Sequence, residues 1–312
     1  MIELTTAERR VFDRLCTPEG GLLIVAADQR AGMKATMVET AVEAGSVSTA
    51  ELAAAKADIA LVLGGSAPAV LLDPEVALPF VIDNGILPAT TGLVIGLDAS
   101  GYETAKGLRR TRYVEGMSAR RVRELGGDAA KMLFYLRADR LSDESAVITD
   151  MARLIAEYAS EGVLLIVEIL TYQLEQESDA QYAAVFPALI IGAARLCAEA
   201  GARILKLPYP GSADACAAVT AAAAGIPWAV LSAGVNHDTF IQQVRIAVAA
   251  GAHGAMAGRS LWKDCLTGTA DDRRRVLIGR AVPRVRELAR VIDKTRSNSS
   301  VSNPLSTTHP RD

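Results

Sequence analysis

The sequence predicts an α/β chain folded as a single (β/α)8 barrel, the TIM-barrel architecture. Three observations lead there. Short apolar runs recur along the 312 residues, separated by Ala-, Glu- and Arg-rich stretches of helical spacing. Strands that alternate with helices pair in parallel, and eight such units fit the roughly 250 residues of a barrel. Half of the chain is hydrophobic but only 4% is aromatic. The core is therefore built from Ala, Val, Leu and Ile, as in parallel strands buried on both faces.

The polar, amphipathic segment ahead of the first strand is unlike a signal peptide and is placed to cap the barrel bottom as a helix. The predicted strands are 21–27, 69–72, 92–97, 129–136, 163–169, 202–207, 228–231 and 254–257. Each is short and apolar, as buried strands are. Helical patterns fill the gaps, for example 146–160 and 186–200. Gly and Pro fall between the units and not at one central point, so residues 1–295 form one domain. Residues 296–312, rich in Ser, Thr, Asn and Pro, read as a disordered tail.

Net charge is −3, so no global basic field recruits nucleic acid or an anionic membrane. The clusters Arg109, Arg110, Arg112 and Arg120, Arg121, Arg123 read as solvated loop and helix faces. Cys16, Cys197, Cys216 and Cys265 form no CxxC pair, which fits a reduced, cytoplasmic protein. Cys197 and Cys216 lie in Ala-rich helical patterns and read as packing residues. No run of 18 apolar residues occurs, so no membrane span is expected. His237, His253 and His309 lack partners at ligand spacing, so no metal site is expected, and His237 is placed on the solvent face of a loop. No P-loop or GxGxxG follows a strand, so no nucleotide cofactor is expected.

Barrel active sites lie at the C-terminal ends of the strands. Asp28 follows the first strand, Lys131 lies in the fourth, Glu168 near the end of the fifth and Lys206 near the end of the sixth. Alternation puts Ile204 with Lys206, and Ile166 with Glu168, on one face. Charges buried there would make a poor structural network, because each costs several kcal/mol to desolvate. As a catalytic set they are coherent. A lysine in its neutral form attacks a ketone to give a Schiff base, and a second cation nearby favours that form. Lys131 is the candidate cation and Lys206 the nucleophile. Glu168 can shuttle protons, and Asp28 can hold a substrate hydroxyl or act as a second acid/base group. At the last two strands, Ser232, Gly234, Gly258 and Arg259 offer small residues, backbone N–H groups and a bidentate cation to a phosphate.

These residues carry a resemblance. Val25-Ala26-Ala27-Asp28-Gln29-Arg30 resembles the opening motif of the bacterial class I tagatose-1,6-bisphosphate aldolase family. Ala69-Val70-Leu71-Leu72-Asp73-Pro74-Glu75, Ala129-Ala130-Lys131, Glu168-Ile169-Leu170-Thr171-Tyr172 and Ile204-Leu205-Lys206 look like its later strands. Leu231-Ser232-Ala233-Gly234-Val235 and Gly258-Arg259-Ser260-Leu261-Trp262 look like its phosphate loops, and the likeness runs from about Gly20 to Lys294. The resemblance implies a Schiff base at Lys206 and acid/base or hydroxyl-binding roles for Asp28, Lys131 and Glu168. It implies a phosphate on Ser232, Gly234, Gly258 and Arg259, with Gln29 and Arg30 facing the substrate's other end. One position departs: family members often carry a glutamate two residues after the Schiff-base lysine, where this chain has Pro208.

The implied activity is cleavage of a ketose phosphate, with tagatose 1,6-bisphosphate first, to dihydroxyacetone phosphate and an aldehyde such as glyceraldehyde 3-phosphate. A homo-oligomer is the expected assembly. Sulfofructosephosphate aldolases belong to the same wider group, so a sulfonated or deoxy sugar phosphate is the alternative substrate. A sugar-phosphate sensor and a phosphate-binding isomerase remain open as other classes.

Overall fold

The computed structural model describes residues 4–38, 40 and 43–301. Eight parallel strands close into one barrel: β1 (Leu22–Ala26), β2 (Ala69–Leu72), β3 (Gly92–Gly96), β6 (Ala129–Tyr135), β7 (Leu164–Leu170), β8 (Ile204–Pro208), β9 (Trp228–Leu231) and β10 (Gly254–Ala257). The order round the barrel is β1-β10-β9-β8-β7-β6-β3-β2. Between β3 and β6 lies an antiparallel pair, β4 (Asp98–Ala105) and β5 (Leu108–Tyr113).

The two faces of the strands divide the apolar residues. Outward, Leu23, Val25, Ile95, Met132, Val167, Leu205 and Val230 pack under the helices. Inward, Leu22, Ile24, Ala26, Leu71, Val94, Ala129, Leu164, Ile166, Ile204, Ala229 and Met256 fill the barrel. Phe12 and Leu15 join that inner cluster from the helix Thr6–Arg14 and its C-cap, so the bottom of the barrel is stopped with side chains. That helix starts in a capping box, with Thr5 and Glu8 satisfying each other's backbone N–H.

Closure leaves no room at one strand crossing. A Cβ on Gly254 would fall 1.9 Å from the Leu22 carbonyl oxygen, so only glycine fits beside β1. Trp262 then bolts the seam, its indole N–H donating to the Ala26 carbonyl at 3.0 Å.

A second tie fixes the top of β1 and β2. Lys56, fully buried on the helix Thr49–Gly64, donates to the Ala27 carbonyl at 2.6 Å and to Asp73 at 2.5 Å. It joins the ends of two neighbouring strands to the helix that connects them.

Four expectations need correction. The last helix runs Val282–Val301, so chain assigned to the tail is helical through Val301, and 302–312 lie outside the described residues. Arg109, Arg110 and Arg112 lie on β5 and not on a solvated loop. Arg110 there pairs with the fully buried Glu144 at 2.6 Å, while Arg109 lies over the rings of Tyr102 and Tyr172. His237 opens a helix and meets Glu287 at 2.9 Å, with its side chain only 9% exposed. The helix Asp179–Glu199 is long and apolar enough to cross a membrane by length and composition. In the barrel its Leu189, Ile190, Ala193, Ala194 and Cys197 are buried in the core.

Removing one partner of a buried pair costs about 3–5 kcal/mol. Lys56→Met should sit at the low end, about 3 kcal/mol, because Arg30 still lies 3.4 Å from Asp73. Chemical denaturation of the variant beside the parent chain measures the loss.

Candidate active site

The parity that fills the barrel also builds the site. Ala129 points inward on β6, so Lys131 does too. Ile166 brings Glu168 inward on β7, and Ile204 brings Lys206 inward on β8. Asp28 stands two residues beyond the inward Ala26. Register seats Glu168 directly beside Lys206. The dry layers therefore end in a charged layer at the C-terminal mouth.

Lys131 is the hub. Its ammonium lies 2.7 Å from Asp28, 2.6 Å from Asp98 and 3.2 Å from Glu168. Lys206 donates to the same Glu168 oxygen, Oε2, at 2.9 Å. Burial disfavours the charged Lys131, but Asp28, Asp98 and Glu168 outweigh it and hold this lysine protonated well above its ordinary range. Burial also raises the Asp28 carboxyl; Lys131 and Lys206 outweigh that and keep it well below the usual carboxylate range. Asp98 goes the other way. Burial raises its carboxyl, Asp28 and Glu168 add to the rise, and Lys131 does not cancel it.

The sequence reading had Lys131 presenting its charge to Lys206. In the structure that charge is ringed by three carboxylates, and Glu168 stands between the two ammonium groups. Asp98 was absent from the sequence expectation altogether. It opens β4 immediately after β3, and a single aspartate at a strand end carries little signal before the hairpin is recognised.

All ten residues singled out from the sequence line one cavity of about 430 Å³ at this mouth. Gln29 donates to Asp28 at 2.8 Å and leaves its own Oε1 buried without a partner among the described residues. Arg30 is more committed than expected. It lies 2.7 Å from Glu75 and 3.4 Å from Asp73, and it donates to the Asp98 carbonyl at 3.1 Å. On the opposite side of the mouth, the Gly258 N–H points to Ser232 Oγ at 3.5 Å. Ala233 and Gly234 both take positive φ, +47° and +84°, which folds the loop after β9 against Arg259. Arg259 makes no ion pair among the described residues. A free guanidinium beside small residues is suited to an anion.

The DeoC/LacD family aldolase model matches residues 22–264. The chain belongs to the DeoC/LacD family of aldolases. A tagatose 1,6-diphosphate aldolase of Streptococcus agalactiae is 29% identical over 286 residues, 83% of this chain and 86% of its own. One from Lactococcus lactis is 29% identical over 287 residues, with the same shares covered. In fold, this DeoC/LacD member is similar to a fructose-bisphosphate aldolase from Slackia heliotrinireducens, at a TM-score of 0.66 and 17% identity. That likeness covers 99% of this chain and 97% of the other. A Schiff base forming fructose-1,6-bisphosphate aldolase matches at 0.62 and 17%, covering 91% and 99%.

Two measurements test this geometry. Gly234→Ala forces an alanine to φ +84° and sets its Cβ 3.1 Å from Arg259 Cζ. Shifting that guanidinium should weaken inorganic phosphate binding about tenfold by calorimetry, the loss of one charge-assisted bond. Lys131→Met leaves three carboxylates without their hub. In the parent chain Asp28 is depressed, so its contribution is present above pH about 4 and lost below. In the variant burial dominates and raises the Asp28 and Asp98 carboxyls. Its melting temperature should therefore fall at pH 7 and partly recover at pH 5.

Proposed function

We propose that this chain is a class I aldolase that forms a Schiff base through Lys206 and cleaves a ketose carrying a phosphate on C1. The observation that carries the reading is the buried Lys206–Glu168–Lys131 chain, with contacts of 2.9 and 3.2 Å, facing a cavity whose far side offers Arg259. An amine, a proton carrier and an anion anchor in one mouth are what this chemistry needs.

The sequence of events follows from the groups. Lys206 gives a proton to Glu168 and the amine so freed adds to the C2 ketone; Glu168 then delivers that proton to the C2 oxygen, which leaves as water. The iminium withdraws the electrons of the C3–C4 bond, giving an enamine and an aldehyde. Protonation of C3 and hydrolysis return the amine and release dihydroxyacetone phosphate. Asp28 holds a substrate hydroxyl, and Ser232, Gly234, Gly258 and Arg259 hold the C1 phosphate. The imine is the electron sink, so the route asks for no metal or cofactor. Tagatose 1,6-bisphosphate is the first substrate to offer, on the strength of the names of the Streptococcus and Lactococcus relatives.

The test is intact mass and peptide mapping after borohydride reduction with dihydroxyacetone phosphate. One reduced adduct should appear on the peptide bearing Lys206 and vanish in Lys206→Ala. Ligand that binds by calorimetry yet leaves no adduct would overturn the reading.

A further inference from the structure

Cleavage of the C3–C4 bond needs a base for the C4 hydroxyl, and three carboxylates surround Lys131 in the cavity. Their surroundings differ. Glu168 puts its contacts with Lys206 and Lys131 on Oε2 and leaves Oε1 free among the described residues, but it faces Lys206 and carries the protons of imine formation. Asp28 is tied on both oxygens, Oδ2 to Lys131 and Oδ1 to Gln29. Asp98 puts both of its contacts, with Lys131 and with the Leu133 N–H, on Oδ1. Its Oδ2 accepts no bond among the described residues, and the side chain lines the cavity.

Position agrees. In the barrel order β3 stands four strands from β9, diametrically across the mouth from the Ser232 loop. A ketose with its C1 phosphate at Ser232 and Arg259, and C2 at Lys206 on β8, runs its remaining carbons over β7 and β6 towards the end of β3. Asp98 is there.

We infer that Asp98 is a further catalytic residue, the base that takes the C4 hydroxyl proton on Oδ2 as the bond breaks. The inference rests on the Schiff-base reading above. In the step, the O–H bond breaks and its proton passes to Asp98. The oxygen's electrons form the aldehyde C=O, and the C3–C4 electrons enter the iminium to give the enamine. In the reverse direction protonated Asp98 returns the proton to the new alkoxide. The groups facing Asp98 are Lys131 on β6, Glu168 on β7, Asp28 after β1, Tyr135 at the end of β6, and Arg30 through the Asp98 carbonyl. Burial and the two carboxylates raise its affinity for a proton, which an acceptor in this place requires.

Asp98→Asn tests it, since Lys131 keeps Asp28 and Glu168. General base catalysis is worth about 10²–10⁴-fold. The variant should lose at least about 10²-fold in kcat for cleavage. It should still give the borohydride adduct with dihydroxyacetone phosphate on Lys206 and still exchange the C3 proton of that compound with solvent, because neither involves C4. In the parent enzyme kcat should rise with pH through the raised carboxyl; in the variant that limb should vanish. Cleavage within threefold of the parent would overturn the inference, and so would adduct formation and exchange falling by the same factor as cleavage. Should Asp98→Asn not fold, Asp98→Ser is read by the same measurements. Absence of an adduct in the parent enzyme is a different result, and it would remove the Schiff-base reading itself.

Discussion

One ammonium group organises the mouth of this barrel. Lys131 is buried, and a lone buried cation costs several kcal/mol. Three carboxylates from three different strand ends converge on it. Each of those carboxylates would be costly without Lys131: the hub and Asp28 hold each other in the charged state, and Lys131 offsets part of the cost of burying Asp98. Their strand-end loops take their positions from the same contacts: the loop after β1 through Asp28, and the root of the hairpin through Asp98.

The arrangement is asymmetric by design of the strands. On the β1, β3, β6 and β7 side the charges are paired and ordered. On the β9 and β10 side the lining is small and carries one uncommitted guanidinium, Arg259. A polar ligand with one strongly anionic end has a single way to lie in such a mouth. Lys206, on β8, stands between the two regions, beside the ordered acids and next to the anion end.

Much of this was legible from the chain. The eight barrel strands were found because buried parallel strands are short continuous apolar runs, and polar residues inside them stand out. That contrast is what exposed Lys131, Glu168 and Lys206. The hairpin was missed because its strands are polar and half exposed, with no apolar run to mark them. The local signal was the Lys106-Gly107 pair, both at positive φ as a two-residue hairpin turn demands. Missing the hairpin concealed Asp98 and the Arg110–Glu144 pair. The ion pairs of Arg30 were hidden for a related reason: its partners Asp73 and Glu75 lie on the next strand's loop, and sequence spacing does not reveal that they reach it.

The seam between β1 and β10 bears on how the chain acquires activity. Leu22 pairs with Gly254 and Trp262 reaches back to Ala26, joining the first strand of the barrel to the last. Pairings of such long range carry the largest loop-closure entropy and form late. Asp28 follows the first strand and Gly258 and Arg259 follow the last, so the two ends of the cavity meet only when this seam closes. A nascent or partly folded chain has its lysines but not its pocket. The cavity is thus a late product of folding, although every strand that lines it is short and local.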